Sequence, residues 1–321
     1  MFIFRIMFLL KRGVRRKILL VGTLPISALA ARRMNMFSRK ALGFAVVVIV
    51  LYSWPAQILA VSCVWKVTTR DGHSLYLGGS FHALRPTDYP LPPQYNRAFD
   101  ASARLVFEED PKTAKASFDA LMRAGQYPRG DSLKNHVDPR TYDYVHRFFV
   151  LRNVPEEKFA KYRSWMIDIL LSSPPPEYYQ LGIERFLTGR ARSANKPVSG
   201  LESTGEHIAV FSGLNDKQAE ALLLTLFINA GRESGRSFNI FQAWRNGDAE
   251  LLARTMRQSF SDFPFMAARL LDERNQNWLP KIENYLRSGQ VYFVVVGAAH
   301  MGGSAGLLSL LQAHGYDIQQ L

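Results

Sequence analysis

The chain has 321 residues, of which 47% are hydrophobic and 21% are charged, and this composition excludes fibrous and disordered proteins. It leaves room for one large globular domain or two smaller ones. The formal net charge of +13 is concentrated at the N-terminus, because residues 1–40 contain ten Lys and Arg residues and no Asp or Glu. The remainder carries 30 basic and 27 acidic residues, so we expect no nucleic-acid partner.

Residues 1–62 have the pattern of a secretory signal. A basic region is followed by a stretch without charged residues, 41–64, and by the small residues Ala60 and Ser62, after either of which cleavage is expected. This pattern predicts a periplasmic or secreted protein. The alternative is an uncleaved membrane anchor at residues 41–64, because the charge-free stretch reaches the roughly 20 residues that span a bilayer. Met34 and Met36 lie just before the charge-free stretch. Translation from either of them would make residues 1–33 an upstream extension outside the working protein, and the sequence leaves the start codon open.

Cys63 is the only cysteine of the chain. No intramolecular disulfide can form, so the core alone must hold the domain predicted for residues 63–321. The position of Cys63 at the expected cleavage site leaves lipid attachment open, although Ala60 stands where a bacterial lipobox usually has Leu.

Six short segments are predicted strands, because their apolar residues alternate with polar ones or run without interruption. They cover residues 64–69, 74–77, 103–107, 196–202, 291–296 and 316–319. The first two form a hairpin around Asp71-Gly72. A proline-rich loop without regular structure is predicted at residues 85–93.

Helices are predicted for most of the remaining chain, and apolar residues recur at intervals of three and four in the clearest of them. Between the third and fourth strands they cover residues 112–125, 139–151, 155–172 and 177–194, which predicts a helical insertion at about 111–195. The others are predicted at residues 216–226, 238–260, 267–287 (interrupted at Pro280) and 304–313. The pattern predicts an α/β fold with a central mixed sheet, flanking helices and an active site at the strand ends.

Polar residues follow four of the predicted strands. Two strands end in the same pattern, Gly-x-x-His, which places His82 and His300 at equivalent positions, while Glu108 and Glu202 end two others. Taken singly, each histidine is better explained as a hydrogen-bonded turn residue. The repeated pattern favours two halves of one site, because imidazole is both a common metal ligand and a good general base.

Several catalytic motifs do not occur in the sequence, including the His-Glu-x-x-His helix, the Gly-x-Ser-x-Gly elbow and the phosphate loop. Two imidazoles with one or two carboxylates suit a divalent transition metal such as Mn, Co, Fe or Zn, which would acidify a bound water. Without a metal, the histidines could act as general bases held by carboxylates, with Arg274 stabilising an anion. His136, His146 and His207 have no partner at metal-ligand spacing and are interpreted as structural or surface residues.

The chain resembles the TraB/GumN family, which is related to the Tiki metalloproteases. Seven motifs occur in the family's order and extend over nearly the whole chain after the leader. They are Trp65-Lys66-Val67, residues 77–82, Tyr89-Pro90-Leu91-Pro92, residues 105–108, residues 196–202, Glu273-Arg274-Asn275 with Trp278, and residues 296–303. Met301 replaces the Leu that usually follows the second histidine.

The resemblance implies an α/β fold like that of erythromycin-esterase and ChaN-type proteins. It implies that His82, His300 and Glu108 are the metal ligands, for Mn, Co or Zn. It also implies that Glu108, Glu202, Arg274 and Asn275 act in catalysis. We therefore expect a metal-dependent hydrolase that acts on a peptide or protein substrate. The alternative is a peptide-binding or inhibitory protein that keeps the same site without catalysis.

Overall fold

The computed structural model describes residues 61–232 and 240–321, which form an α/β fold around a six-stranded mixed sheet. The strands are β1 (Val64–Thr68), β2 (Ser74–Ser80), β3 (Arg104–Phe107), β4 (Val198–Gly200), β5 (Tyr292–Gly297) and β6 (Asp317–Gln320). Their order is β4-β3-β5-β2-β1-β6. β1 pairs antiparallel with both neighbours, and the other neighbouring pairs are parallel. All six predicted strands and the mixed sheet are confirmed.

The position of β5 at the centre of the sheet explains why its sequence is an unbroken apolar run. It lies between β2 and β3, and its residues Phe293 to Val296 are fully buried. A parallel strand covered on both faces has no polar side for alternate residues to occupy. The register places Gly79 of β2 beside Val296 of β5, so the two strands end at the same level.

Fourteen α-helices are present among the described residues. They are α1 (Pro93–Ala101), α2 (Ala114–Ala124), α3 (Pro139–Val150), α4 (Glu156–Phe159), α5 (Ser164–Ser172), α6 (Pro176–Tyr179), α7 (Ile183–Ser193), α8 (Thr204–Ser212), α9 (Asp216–Arg232), α10 (Ile240–Arg245), α11 (Ala249–Ser259), α12 (Pro264–Ala267), α13 (Glu273–Arg287) and α14 (Leu307–Ala313). A π-helical turn, Ala268–Asp272, leads from α12 into α13.

Three helices predicted as continuous are divided in the structure. The segment 155–172 is interrupted before α5, where Tyr162 forms an isolated β-bridge with Gln126. The segment 177–194 is divided at Gly182 into α6 and α7. The segment 238–260, of which residues 238 and 239 lie outside the described part, is divided into α10 and α11 at Gly247, whose φ of +68° does not belong to a right-handed helix.

Two predictions about proline are also wrong. α13 continues through Pro280, where an interruption was expected. Trp278, Leu279 and Ile282 are buried in the core, and their packing stabilises the helix although Pro280 lacks the N–H of a backbone hydrogen bond. The segment 85–93 is not wholly irregular. It contains a 3₁₀ turn, Pro86–Asp88, and the first residue of α1.

The apolar residues form two clusters. The larger one surrounds the sheet and contains residues of β1, β2, β3 and β5 together with α1, α7, α13 and α14. The smaller one joins residues of α3 and α5 with Ala219, Leu222 and Leu223 of α9 and with Met266. The segment 111–195 contains helices α2 to α7, of which α7 packs on the sheet, and the second cluster also includes helices that follow β4.

The predicted leader, residues 1–62, and the alternative anchor, residues 41–64, lie outside the described residues apart from their last positions. Within the described ranges, no helix combines the length and apolar character needed to cross a bilayer. Ser62 is 1% exposed, and its N–H donates to the Leu321 carbonyl. Cys63 is fully buried, so its side chain is enclosed by the core.

Candidate functional site

The predicted strand-end residues meet at one edge of the sheet. The neighbours β4, β3, β5 and β2 run parallel, so their carboxyl ends lie side by side. Glu202, Glu108 and His300 follow the first three of these strands, and His82 follows the fourth. The first turn of α13 adds Arg274 and Asn275. The structure thus brings all six predicted residues into one region.

Arg274 connects most of this cluster. Nη2 donates to Glu108 Oε2 at 2.5 Å and to Glu202 Oε1 at 2.6 Å, and Nε donates to Glu202 Oε2 at 3.1 Å. Nη1 donates to His300 Nε2 at 3.2 Å and to the Leu270 carbonyl at 3.3 Å. A guanidinium has five N–H donors, and here all five are used. Arg274 can therefore bind a substrate only if it releases one of these partners.

The two glutamates are ionised despite their burial. Burial alone would favour the protonated acid, but Arg274, followed by His300, holds the pKa of Glu108 well below its usual range. The Gly297 N–H also donates to Glu108 Oε1 at 2.7 Å. Burial likewise opposes ionisation of Glu202, and hydrogen bonds from His207 and Arg274 overcome it and lower the pKa. Trp278 Nε1 gives Glu202 a further bond at 3.1 Å.

His300 is a neutral imidazole with a defined orientation. Its Nδ1 lies 2.7 Å from Asn275 Oδ1, and the Asn275 amide donates to the carbonyls of His300 and Ala305, which fixes the amide's own orientation. Nδ1 therefore carries the proton, and Nε2 accepts from Arg274. Burial lowers the pKa of His300 to about 4, so the ring remains neutral at neutral pH. Through these bonds Asn275 holds the His300 ring in one orientation.

His82 differs from His300 in both exposure and charge. Its Nδ1 lies 3.0 Å from Glu184 Oε1, and the same oxygen accepts a bond from the Ser80 hydroxyl at 2.5 Å. The side chain is 61% exposed, so its ring can reach a ligand. The Glu184 carboxylate raises the pKa of His82 to about 9, which favours the protonated ring at neutral pH.

Two residues of the site, Glu184 and His207, were not predicted. Glu184 lies in the first turn of α7, far from any motif, and no pattern in the sequence points to it. His207 Nδ1 lies 2.8 Å from Glu202 Oε1, whereas the sequence interpretation placed it among structural or surface residues. The Ser203–Glu206 capping box starts α8 directly after Glu202, and this start of a helix could have indicated that His207 turns back towards Glu202.

The cluster has the chemistry of a cation site, and its composition differs from the predicted metal set. Among the described residues, Glu108, Glu202 and His207 each offer one ligand atom within 4.8 Å of the others. This group contains Glu108 but neither His82 nor His300. The guanidinium of Arg274 lies between its two carboxylates and already neutralises them. The donor types fit a divalent transition metal, but an ion could enter only after Arg274 withdraws.

These groups lie at the floor of a cavity of about 450 Å³. Its floor includes His82, Glu108, Arg274 and His300. Its walls come from α8, α10 and α11 and from the π-helical turn, and they are largely apolar. The volume lies within the range of about 300–1,000 Å³ that is common for small-ligand sites. The site therefore combines a polar floor with an apolar chamber.

Comparisons with known proteins identify two relatives and a family. The chain is 24% identical to the uncharacterised protein YbaP of Escherichia coli (strain K12) over 271 residues, 81% of this chain and 93% of that protein. The YbaP protein of Shigella flexneri matches with the same identity and the same coverage. No solved structure matches the chain. The model of the TraB/PrgY/gumN family matches residues 63–320, which is the whole described domain apart from its first two residues and its last, and the chain therefore belongs to this family.

Proposed function

We propose that the protein is a hydrolase that cleaves a peptide bond in this cavity. The observation that carries the proposal is the convergence of an exposed histidine, His82, a buried histidine, His300, and the buried Glu108 at the floor of a substrate-sized chamber, with Glu202 joined to them through Arg274. Paired groups whose surroundings move their pKa values apart are the usual arrangement for acid and base catalysis. The helices α8, α10 and α11 supply the cavity walls and would surround part of a bound peptide.

The individual roles follow from exposure and hydrogen bonding. His82, exposed and held by Glu184, donates a proton to the leaving amine. His300 offers an unprotonated Nε2, and Glu108 Oε1 lies 4.0 Å from that nitrogen. Glu108 can accept the proton of an attacking water, and His300 can do so once Arg274 releases Nε2. Arg274 fixes Glu108, Glu202 and His300 in place, and Asn275 sets the orientation of the His300 ring.

The proposal includes a divalent metal because the resemblance to the family implies one. Glu108, Glu202 and His207 are the residues whose ligand atoms converge, and a metal bound there would acidify a water molecule for attack. Binding would require Arg274 to release the two carboxylates. The relation of the fold to the erythromycin-esterase and ChaN type stays a prediction, and so does secretion or a periplasmic location.

The test is hydrolysis of a fluorogenic peptide library by the purified protein, before and after chelation and after addition of Mn, Co or Zn, with metal content measured in parallel. We expect cleavage that is lost in His82→Ala and in Glu108→Gln. His314→Ala is the matched control, because His314 pairs with Glu283 at 2.8 Å and lines no part of the cavity. Activity that survives chelation and needs no added ion would remove the metal from the proposal and leave the hydrolase.

If no peptide is cleaved under any of these conditions while peptides still bind, the protein is a binding or inhibitory member of the family. Calorimetry with the same peptides separates the two outcomes. Equal activity of His82→Ala and the wild type would contradict the site assignment.

A further inference from the structure

We infer that the peptide cleaved at this site carries a large apolar side chain, of the size of Leu, Met or Phe, next to the scissile bond. This inference rests on the proposed hydrolase function and adds the class of substrate. It follows from the walls of the cavity and not from the catalytic residues on its floor.

The wall is an apolar surface formed by three separate parts of the chain. α8 contributes Val210 and Phe211, α10 contributes Ile240, and α11 contributes Leu252 and Met256. In α11, residues 252, 255, 256 and 259 all line the cavity, and their spacing places them on one face of the helix. Leu270 of the π-helical turn completes the chamber. Elements distant in sequence thus present apolar groups to one space.

Part of this apolar surface remains exposed, although Phe211 and Ile240 also pack against the two apolar clusters. Met256 is 37% exposed, and Phe211 and Ile240 are only partly buried. Leu252 and Val210 are buried by contrast, at 5% and 8% exposure, and form the rigid back of the wall. Covering exposed apolar surface is favourable, so a ligand that fills the chamber with an apolar group gains affinity.

Charged residues among the described lining are confined to the floor, where each is paired with an oppositely charged group on the floor or just behind it. Arg274 is shared by Glu108 and Glu202, His82 is bound to Glu184, and His207 is bound to Glu202. A charged substrate side chain in the chamber would lose its hydration and find no free partner on the wall. The chamber therefore selects against Asp and Lys as well as for apolar residues.

The size of the chamber suits large side chains. Its volume of about 450 Å³ is roughly three times the ~150 Å³ that accommodates a benzene-sized group in an apolar protein cavity. One or two large side chains, together with the peptide unit that reaches the floor, fit this space. A small residue such as Ala would leave most of the wall uncovered.

The experiment uses fluorogenic peptides that differ at one residue, placed in turn on either side of the scissile bond: Leu, Phe, Ala, Asp or Lys. With the wild-type protein we expect kcat/KM for Leu or Phe to exceed that for Ala by at least about 10-fold, since even one methylene in an apolar pocket changes it by roughly 10–200-fold. Asp and Lys should be the poorest. Equal cleavage of all five at both positions would overturn the inference and leave the hydrolase function intact.

A pair of variants tests the wall itself. Met256→Glu places a charge in the chamber and should reduce kcat/KM for the Leu and Phe peptides by at least about 10-fold, with little effect on the unfolding temperature because Met256 is partly exposed. Gln258→Glu places the same charge on the same helix outside this cavity and should behave like the wild type. Equal losses in the two variants would refute the role of the wall.

Binding without turnover separates this inference from the proposed function. A peptide with a reduced CH₂–NH bond at the scissile position, carrying Leu or Ala, is titrated into the wild-type protein by calorimetry. Preference for the Leu analogue, in a protein that cleaves no peptide, would refute the hydrolase while supporting the apolar chamber. No preference would refute the chamber.

Discussion

Replacement of Arg274 by Met should destabilise the protein strongly. The guanidinium is 10% exposed and compensates Glu108 and Glu202, which are 11% and 4% exposed. Removing one partner of a buried ion pair leaves an uncompensated charge and costs about 3–5 kcal/mol. For a domain of this size, each kcal/mol lowers the unfolding temperature by about 2–4 °C, so we expect a decrease of roughly 6–20 °C.

The loss should depend on pH. In the wild type, the folded state lowers the pKa values of both glutamates. Their ionised forms therefore contribute fully to stability above the pKa of about 4.3 that a glutamate has in the unfolded chain. This contribution is lost as the pH falls through the lower pKa values of the folded state. Without Arg274, burial raises the pKa of these groups instead. The Arg274→Met variant should therefore be closest to the wild type at pH 5 and furthest from it at pH 8.

The assay is urea unfolding at both pH values. Arg257→Met is the control, because Arg257 makes a similar two-bond pair with Asp272 at a more exposed position, where about 0–1 kcal/mol is expected. Adding Glu108→Gln and Glu202→Gln to Arg274→Met removes the stranded charges and should recover much of the loss. A loss below 1 kcal/mol, or an equal loss at pH 5 and pH 8, would refute the reasoning.

Three further predictions concern the positioning of the site and the remainder of the domain. Gly182→Ala places a Cβ 2.2 Å from the His82 carbonyl oxygen, so it should lower the free energy of unfolding by about 1–3 kcal/mol and reduce activity. Gly189→Ala, whose Cβ would have no atom within 4 Å, should change neither. Calorimetric unfolding that shows no difference between the two variants would contradict this contact. His136, bound to Asp216 and Asp131 at 2.9 and 2.7 Å, has a raised pKa, so its stabilising effect is complete below about pH 6.5 and is lost as the pH rises through the folded value. His136→Ala should therefore lower the unfolding temperature more at pH 6 than at pH 9, and a constant difference would rule out the ion pairs. If the leader is cleaved, mass spectrometry should find Val61 as the first residue and no lipid on Cys63, because Ser62 is anchored to Leu321 and Gln320; an N-terminus at Cys63 would contradict this.

The strands and the family were predictable because their signals are local. Each strand is a short apolar segment, and β5 is recognised by burial on both faces, which the sequence shows as an unbroken apolar run. The two Gly-x-x-His motifs and the glutamates after strands β3 and β4 could be assigned to one edge of a sheet, because parallel strands end together. Helix boundaries were less predictable, since breaks such as Gly182 depend on what the chain packs against.

The sequence by itself determined the α/β class, the strand-end position of the site and six of its residues. Only the tertiary structure decided how these residues share charge. Arg274 bridges three of them, and Glu184 and His207 arrive from helices whose sequences carry no site motif. The apolar chamber also depends on the fold, because its wall combines side chains from α8, α10 and α11. Such long-range pairings depend on which helix faces meet, and local sequence patterns specify the faces without specifying their partners.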